Sequence, residues 1–105
     1  MSVVMNFAMF PTRKESNMSP YVARLVKRVR ESGYQSQLTA MGTLVETETL
    51  AQALKIIEDA YAELEPDCDR VYVTVNIDIK KGGTGRINSK IESVEEKIAQ
   101  SRHNK

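Results

Sequence analysis

The chain has 105 residues, of which 15 are basic and 14 acidic, so its formal net charge is only +1. This length suits a single domain with one hydrophobic core. The balanced charge excludes a general attraction to nucleic acid or to an anionic membrane, and we expect neither as a partner. No apolar run approaches the roughly 20 residues of a transmembrane helix, and the opening segment lacks a basic leader, so we expect a cytoplasmic protein.

Nucleophilic and metal chemistry have few candidate residues in this sequence. The single cysteine, Cys68, lies among acidic residues and is expected to be a surface thiol without a chemical role. The single histidine, His103, lies in a polar segment, 101–105, that we expect to be a disordered tail after one domain of residues 1–100. A Cys-His pair, a Ser-His-Asp triad or a zinc site would have to use that tail. We therefore expect no catalytic residues, no metal and no cofactor.

The first third of the chain predicts a strand followed by a helix. Residues 2–10 are apolar in both alternating sets, with Asn6 intervening, which is typical of a strand covered on both faces. Ser19 and Pro20 suit the N-cap and first turn of a helix that ends at Gly33. A buried Asn6 would need hydrogen-bond partners, and we expect it to find them in a subunit interface.

The middle of the chain predicts two strands and a second helix. Residues 34–41 and 43–46 have the composition of short strands joined at Gly42, where glycine tolerates a tight hairpin or a bulge. Thr47 is a candidate cap for the helix that follows, and Pro66 is the residue that stops it.

The last third predicts a long strand, a glycine-rich loop and a short helix. Residues 71–79 alternate between aliphatic and mostly polar side chains, as expected of a strand. After the loop KKGGTGR, Ser89 and Glu92 fit a capping box for a short third helix. The loop amides and Arg86 could hold an anion. The glycine spacing matches no phosphate-binding motif, however, so a flexible connector is favoured.

The order β-α-β-β-α-β-α predicts an α+β protein, a ferredoxin-like βαββαβ sandwich with a short extra C-terminal helix. Both main helices would cover one face of the sheet. They cannot bury both apolar sets of the first strand, so apolar side chains would remain on the other face unless a second subunit covers them. We therefore expect a homo-oligomer. The sequence leaves open which set of the last strand, the aliphatic one or the one with Asn76 and Asp78, points outward.

The segment TAMGTLVE contains one motif, which consists of Thr39, Met41, Gly42, Thr43 and Glu46, and the ending KIESVEEKI contains a second. In this order they resemble two motifs of the small thiamine-binding, YkoF-like family. The first resembles the family pattern T-P-M-G-T, two apolar residues and Glu, and the second resembles the pattern K-[VI]-x-S-V-x-x-K-[LI]. The sequence departs from the family at Ala40, where proline is usual, and at Thr47, where glycine is common.

The resemblance implies a subunit that assembles into dimers or a homotetramer and binds thiamine or its hydroxymethylpyrimidine part. An aminopyrimidine needs an apolar slot and a group that pairs with its ring edge. Glu46 is the leading candidate for that acceptor. Thr39 and Thr43 are candidates for hydroxyl contacts, and Met41 for a pliable apolar wall. Glu46 has a second interpretation, as a solvated residue whose charge favours the N-terminus of the following helix.

Two other functions stay open on the sequence alone. One is a structural or regulatory oligomerisation module that contacts another protein and has no small-molecule ligand. The other is an enzyme of acylphosphatase type, for which Arg13 and Asn76 are loose candidates, although the first loop lacks the glycines of that chemistry. RNA is not expected, because the acidic second helix balances the basic first helix and the stacking aromatics of an RNA-binding sheet are absent.

Overall fold

The computed structural model describes residues 1–12, 18–83 and 85–103. For residues 102 and 103 it describes the backbone only. Its elements are β1 (Ser2–Pro11), α1 (Ser19–Glu31), β2 (Gln35–Thr39), β3 (Gly42–Thr47), α2 (Leu50–Leu64), β4 (Val71–Lys80) and α3 (Arg86–His103). This order confirms the predicted ferredoxin-like α+β fold with an additional C-terminal helix. None of the described helices has the length and hydropathy needed to cross a bilayer.

The four strands form one antiparallel sheet in the order β2-β3-β1-β4. β1 is central, and its Met5 lies opposite Val45 of β3 on one side and Ile77 of β4 on the other. β4 pairs with β1 along its whole length, from Val71 to Lys80, and is an edge strand of the sheet. The first strand is therefore paired on both edges and is a central strand of the sheet.

The hydrophobic core lies between one face of the sheet, here called the helix side, and the helices α1 and α2. The odd-numbered residues of β1 point into it, and Val3, Met5, Phe7 and Met9 are at most 3% exposed. α1 lies over β1 and β2, and α2 lies over β1 and β3. The even-numbered residues of β1 point to the opposite face, here called the open side, where Val4 and Ala8 are half-buried and Phe10 is exposed.

The starts of the first two helices differ from the sequence prediction. The N-cap position of α1 is Met18, and Ser19 is already the first helical residue. α2 is capped by Thr49, whose hydroxyl accepts from the Gln52 N–H in a complete capping box. The predicted cap, Thr47, instead ends β3 and donates its hydroxyl to the Thr49 carbonyl at 2.8 Å. Two residues, Glu48 and Thr49, therefore lie between β3 and α2. The prediction had placed the helix cap at Thr47, directly after the strand.

The third helix is longer than predicted and begins earlier. It starts at Arg86, so the predicted capping box of Ser89 and Glu92 is wrong: Ser89 lies inside the first turn and donates its hydroxyl to the Arg86 carbonyl. The helix continues to His103, three residues into the segment predicted to be a tail, and residues 104 and 105 lie outside the described part of the chain.

α3 extends away from the body of the domain. Every residue from Asn88 to Ser101 is exposed, and the molecule measures 55 × 31 × 20 Å. Its radius of gyration is 16.3 Å, compared with about 13 Å for a compact chain of 100 residues.

The core contains one residue that the sequence analysis placed elsewhere, since Cys68 is 7% exposed and packs in the main cluster. The expectation of a surface thiol is wrong, because the connection between α2 and β4 brings Cys68 into the core.

Candidate functional site

Three of the four predicted site residues lie at the β2–β3 hairpin. The Thr39 hydroxyl donates to the Gly42 carbonyl at 2.9 Å and accepts from the Met41 N–H at 3.2 Å. One side chain thus closes the turn on both sides, in the way that short hydroxyl residues commonly mimic a backbone turn. Met41 lies at the tip, with 85% of its surface exposed. Thr43, the first residue after the corner, points to the helix side and is buried.

Gly42 lets the hairpin approach β1 closely. A Cβ at this position would lie 2.7 Å from the Phe7 carbonyl oxygen and 3.0 Å from Asn6 Oδ1. Side chains do not normally come this close to backbone oxygen, so glycine is needed here for space. The close approach fixes the hairpin against the second half of β1.

A groove of about 330 Å³ opens between this hairpin, the end of β1 and α1. It is called the hairpin groove below. Its lining residues are Phe7, Ala8, Met9, Phe10, Val22, Leu25, Val26, Leu38, Thr39, Ala40, Met41, Gly42 and Thr43. The volume lies at the small end of the roughly 300–1,000 Å³ typical of ligand pockets. A mostly apolar lining with a few hydroxyl and backbone groups suits a flat heteroaromatic ring.

Glu46 is not in the hairpin groove. It lies near the other end of β3, four residues and about 13 Å along the strand from Gly42. Its side chain is buried, Oε2 accepts from the Ser2 hydroxyl at 2.6 Å, and Oε1 accepts from the Ile87 N–H at 3.3 Å. The carboxylate therefore caps the N-terminus of α3, not of α2, and it is not solvated. The sequence could not show this, because its partners lie 44 and 41 residues away.

The environment of Glu46 favours its ionised form. Burial opposes ionisation, but hydrogen bonds from Ser2 and from the backbone N–H groups of Arg86, Ile87 and Gly85 outweigh it, and the pKa of Glu46 is lowered from the usual 4.5. A negative carboxylate at a helix N-terminus is also favoured by the helix dipole.

Arg86 completes a polar cluster, called the α3 anchor below, that consists of Ser2, Glu46, Asp78 and Arg86. The buried guanidinium donates from Nε to the Ser2 hydroxyl at 3.0 Å and from Nη2 to the Ser2 carbonyl at 2.9 Å. It also donates from Nη1 to Asp78 Oδ2 at 2.8 Å. Hydrogen bonds from Lys90 and Arg86 lower the pKa of Asp78. Because its donors are engaged within the chain, Arg86 is held in place as an anchor of α3, which favours the connector interpretation of the glycine loop.

A second cleft, of about 410 Å³, lies beside the α3 anchor. Its lining residues are Gly33, Tyr34, Gln35, Glu46, Thr47, Glu48 and Gly85. The sequence analysis missed Tyr34 and Gln35 as candidates, although antiparallel pairing of the two predicted strands places Gln35 opposite Glu46. A wider concavity of about 840 Å³ runs along the outer side of α1, and it shares Val22, Val26 and Leu38 with the hairpin groove.

Asn76, one of the two candidates for acylphosphatase-type chemistry, lies exposed on β4, and the other, Arg13, lies outside the described residues. Within the described ranges, no group of three or more His, Cys, Asp or Glu side chains could hold a metal ion.

Comparison with known proteins gives the family. Residues 5–95 match the family described as thiamine-binding protein. The chain belongs to this family. The match includes the hairpin groove and Glu46, and it ends within α3. A UPF0045 protein of Methanothermobacter thermautotrophicus is 34% identical over 84 residues, which cover 79% of this chain and 85% of that protein.

Solved structures confirm the fold of this family member. The crystal structure of a hypothetical protein from Methanocaldococcus jannaschii covers 90% of this chain and 97% of its own, with 27% identity and a TM-score of 0.80. A Thermotoga maritima protein provisionally assigned to thiamine biosynthesis or salvage covers 90% and 99%, with 19% identity and a TM-score of 0.78. The second likeness is one of fold alone.

Proposed function

We propose that this chain binds thiamine or its hydroxymethylpyrimidine part without catalysing a reaction, as a homo-oligomer in the cytoplasm. The observation that carries the proposal is the convergence of three family-motif residues, Thr39, Met41 and Thr43, on the hairpin groove. The provisional role of the Thermotoga maritima protein in thiamine biosynthesis or salvage is consistent with it.

In the proposed complex the pyrimidine ring lies in the hairpin groove. Met41 and Phe10 offer apolar surface at the mouth, and the Thr43 hydroxyl lies inside, where a ring nitrogen or the exocyclic amine can pair with it. Thr39 acts mainly by holding the corner, since its hydroxyl already makes both hydrogen bonds of the turn. A ring in this groove is too far from Glu46 to touch it. A ligand that contacts Glu46 would have to lie in the second cleft.

The second cleft is the other place where an aminopyrimidine could pair with this chain. Tyr34 and Gln35 line it beside the carboxylate of Glu46. Both Glu46 oxygens already accept hydrogen bonds, so a ligand there would have to share them. We therefore favour the hairpin groove.

Isothermal titration calorimetry with thiamine and with hydroxymethylpyrimidine tests the proposal. Thr43→Val keeps the shape of the side chain and removes its hydroxyl, and we expect a loss of affinity of about tenfold, the usual worth of one hydrogen bond. Thr74→Val is the matched control, because Thr74 is exposed on β4 outside both clefts. Chromatography of the ligand after incubation should return it unchanged.

The calorimetric results separate the two clefts and can reject both. Loss of binding on Thr43→Val but not on Glu46→Gln places the ring in the hairpin groove, and the reverse places it in the second cleft. No heat with either compound at millimolar concentration rejects the binding function.

One feature favours the alternative of an oligomerisation module that contacts another protein. The apolar stripe of α3, Ile91, Val94 and Ile98, is exposed on a helix that leaves the domain. A pull-down from lysate separates the functions. The module predicts a stoichiometric protein partner that is lost on Val94→Asp, whereas the binding protein yields a copurified small molecule.

A further inference from the structure

Two cations without an ion pair lie close to the hairpin groove. Lys27 and Arg30 are exposed on α1, and neither forms an ion pair with a carboxylate of the described residues. Arg24, on the same helix, is different, because it pairs with Asp67 at 2.8 Å. The fold therefore leaves Lys27 and Arg30 available to an anionic group of a ligand.

Both cations line the concavity of about 840 Å³ on the outer side of α1, called the α1 concavity below. Val22, Val26 and Arg30 follow one another at intervals of four residues, and Ala23 and Lys27 form the neighbouring row. Residues at this spacing lie on one side of a helix. The α1 concavity thus combines an apolar wall with two positive charges.

The α1 concavity adjoins the hairpin groove. The two share Val22, Val26 and Leu38 as lining residues. Leu38 lies opposite Thr43, so it points to the helix side of the edge strand β2, and it is 50% exposed. A ligand with a ring in the hairpin groove can therefore extend past these apolar side chains into the α1 concavity.

The two cations lie within reach of such an extension. Lys27 is next to Val26, and Arg30 follows Val26 by about one turn, or about 6 Å along the helix axis. Helical side chains lean toward the N-terminus of their helix, which for both cations is the direction of Val22 and Val26. Glu31 also lines the α1 concavity, but it is the last residue of the helix. The positive charges therefore lie nearer to the hairpin groove than this negative charge does.

The charge of the α1 concavity favours one form of the proposed ligand. Thiamine carries a permanently cationic thiazolium ring, which two unpaired cations repel. A phosphate monoester carries a charge of about −1.5 to −2 at pH 7 and three acceptor oxygens, so the same two cations attract it. The hairpin groove is small for a ligand pocket, at about 330 Å³, so a longer ligand has to continue into the α1 concavity.

We propose that this chain binds a phosphate ester of thiamine, with the pyrimidine ring in the hairpin groove and the phosphate in the α1 concavity, where Lys27 and Arg30 hold it. This inference rests on the proposed function and names the ligand class for the same site. Lys27 supplies a flexible ammonium group and Arg30 a planar guanidinium that can donate two parallel hydrogen bonds to phosphate oxygens.

Isothermal titration calorimetry with thiamine and thiamine monophosphate tests the inference. The unmodified chain should bind the monophosphate about tenfold more tightly, or better, and this preference should shrink as salt is added. Lys27→Gln and Arg30→Gln should each weaken monophosphate binding by about fivefold, as expected of exposed charge pairs. Both variants should bind thiamine at least as tightly as the unmodified chain does, because each removes a repelling charge.

Arg28→Gln is the matched control for the two cations. Arg28 is exposed on α1 but lines neither the α1 concavity nor the hairpin groove. At 100° per residue it points about 160° away from Arg30. The variant should keep the full preference for the monophosphate. Circular dichroism verifies that the glutamine variants are folded.

A variant of the apolar wall tests the path of the ligand. Ala23 lines the α1 concavity but not the hairpin groove. Ala23→Leu narrows the concavity, so it should weaken the binding of thiamine monophosphate and leave the binding of hydroxymethylpyrimidine unchanged. Hydroxymethylpyrimidine phosphate, which has a shorter link between ring and phosphate, is the fourth compound to be titrated.

The outcomes distinguish this inference from the proposed function. If none of the four compounds binds, both fail. If thiamine binds as tightly as its monophosphate, only the phosphate site fails. A preference for the monophosphate that survives both Lys27→Gln and Arg30→Gln places the phosphate elsewhere and overturns the inference.

Three further results would also overturn it. Monophosphate binding that Thr43→Val leaves unchanged would separate the phosphate site from the hairpin groove. A gain from phosphate in hydroxymethylpyrimidine but not in thiamine would assign the site to the shorter ester. A change in the sedimentation of Ala23→Leu without ligand would show that a second copy of the chain, rather than a ligand, occupies the α1 concavity.

Discussion

β1 and β4 present the same kind of side chain to the same face of one sheet, with opposite results. Met5 and Ile77 are register partners, and Met5 is fully buried whereas Ile77 is 37% exposed. The difference comes from the layer above, because the helices lie over β1 and stop before β4. Apolar alternation therefore indicates which face of a strand would be buried, but the neighbouring elements decide whether it is.

The largest expected effect is the contrast between these register partners. Met5→Ala removes a fully buried side chain and leaves a cavity, so it should lower the free energy of unfolding by about 2–5 kcal/mol. Ile77→Ala, measured by urea unfolding at concentrations that keep the chain monomeric, should cost less than about 1 kcal/mol. A loss at Ile77 as large as that at Met5 would break the comparison, since it would mean that β4 is covered within the single chain.

The second contrast adds volume instead of removing it. Gly42→Ala places a methyl group 2.7 Å from the Phe7 carbonyl oxygen, so the hairpin must move away from β1. We expect a loss of about 1–3 kcal/mol in unfolding free energy and weaker ligand binding in the hairpin groove. Val75→Ile adds a methylene to the exposed helix-side row of β4 and should change the stability of the monomer by less than about 0.5 kcal/mol. Equal effects of the two changes would show that this row of β4 is as tightly packed as the hairpin corner.

Much of the fold could be predicted because its determinants are local. The double apolar pattern of residues 2–10 marked the central strand, and Gly42 marked the corner of the hairpin. The start of α2 was predicted two residues too early, at Thr47, although Gln52 lies three residues after Thr49 and gives that threonine the spacing of a capping box. Cys68 could not be placed, since its burial depends on how the chain returns over the core.

The candidate site was predictable only in part. Thr39, Met41 and Thr43 are close in sequence, and a hairpin brings them together whatever the rest of the chain does. Glu46 belongs to the same motif, but its contacts are with Ser2 and Ile87 at the two ends of the chain. Such long-range contacts depend on topology, not on a local pattern. Asn6, on the open side of the sheet, has a buried Oδ1 without a hydrogen-bond partner among the described residues, and the partner expected for it in a subunit interface stays a prediction.

The α3 anchor provides a third contrast, between a buried and an exposed carboxylate of the same strand end. Glu46→Gln removes the charge but keeps one acceptor oxygen, so it should lower the unfolding free energy by about 1–2 kcal/mol. Amide hydrogen exchange should speed up in the first turn of α3. Glu48→Gln is the matched control, because Glu48 is exposed and should leave both measurements unchanged. Unaltered exchange in Glu46→Gln would mean that Arg86 alone fixes the helix.

The smallest effect is a pH dependence that follows from the same carboxylate. The pKa of Glu46 is lower in the folded chain than its usual 4.5, so the unfolded chain takes up this proton at a higher pH than the folded one does. The stabilisation is therefore complete above about pH 4.5 and is lost as the pH falls from there through the folded pKa. Asp78 has a lowered pKa as well, but its side chain is 57% exposed, so salt should screen its share. Urea unfolding should show that the free energy of unfolding declines between pH 6 and pH 3. The decline should be shallower in Glu46→Gln, and salt should reduce it only weakly. An identical decline in Glu46→Gln would assign the pH dependence to other carboxylates of the chain.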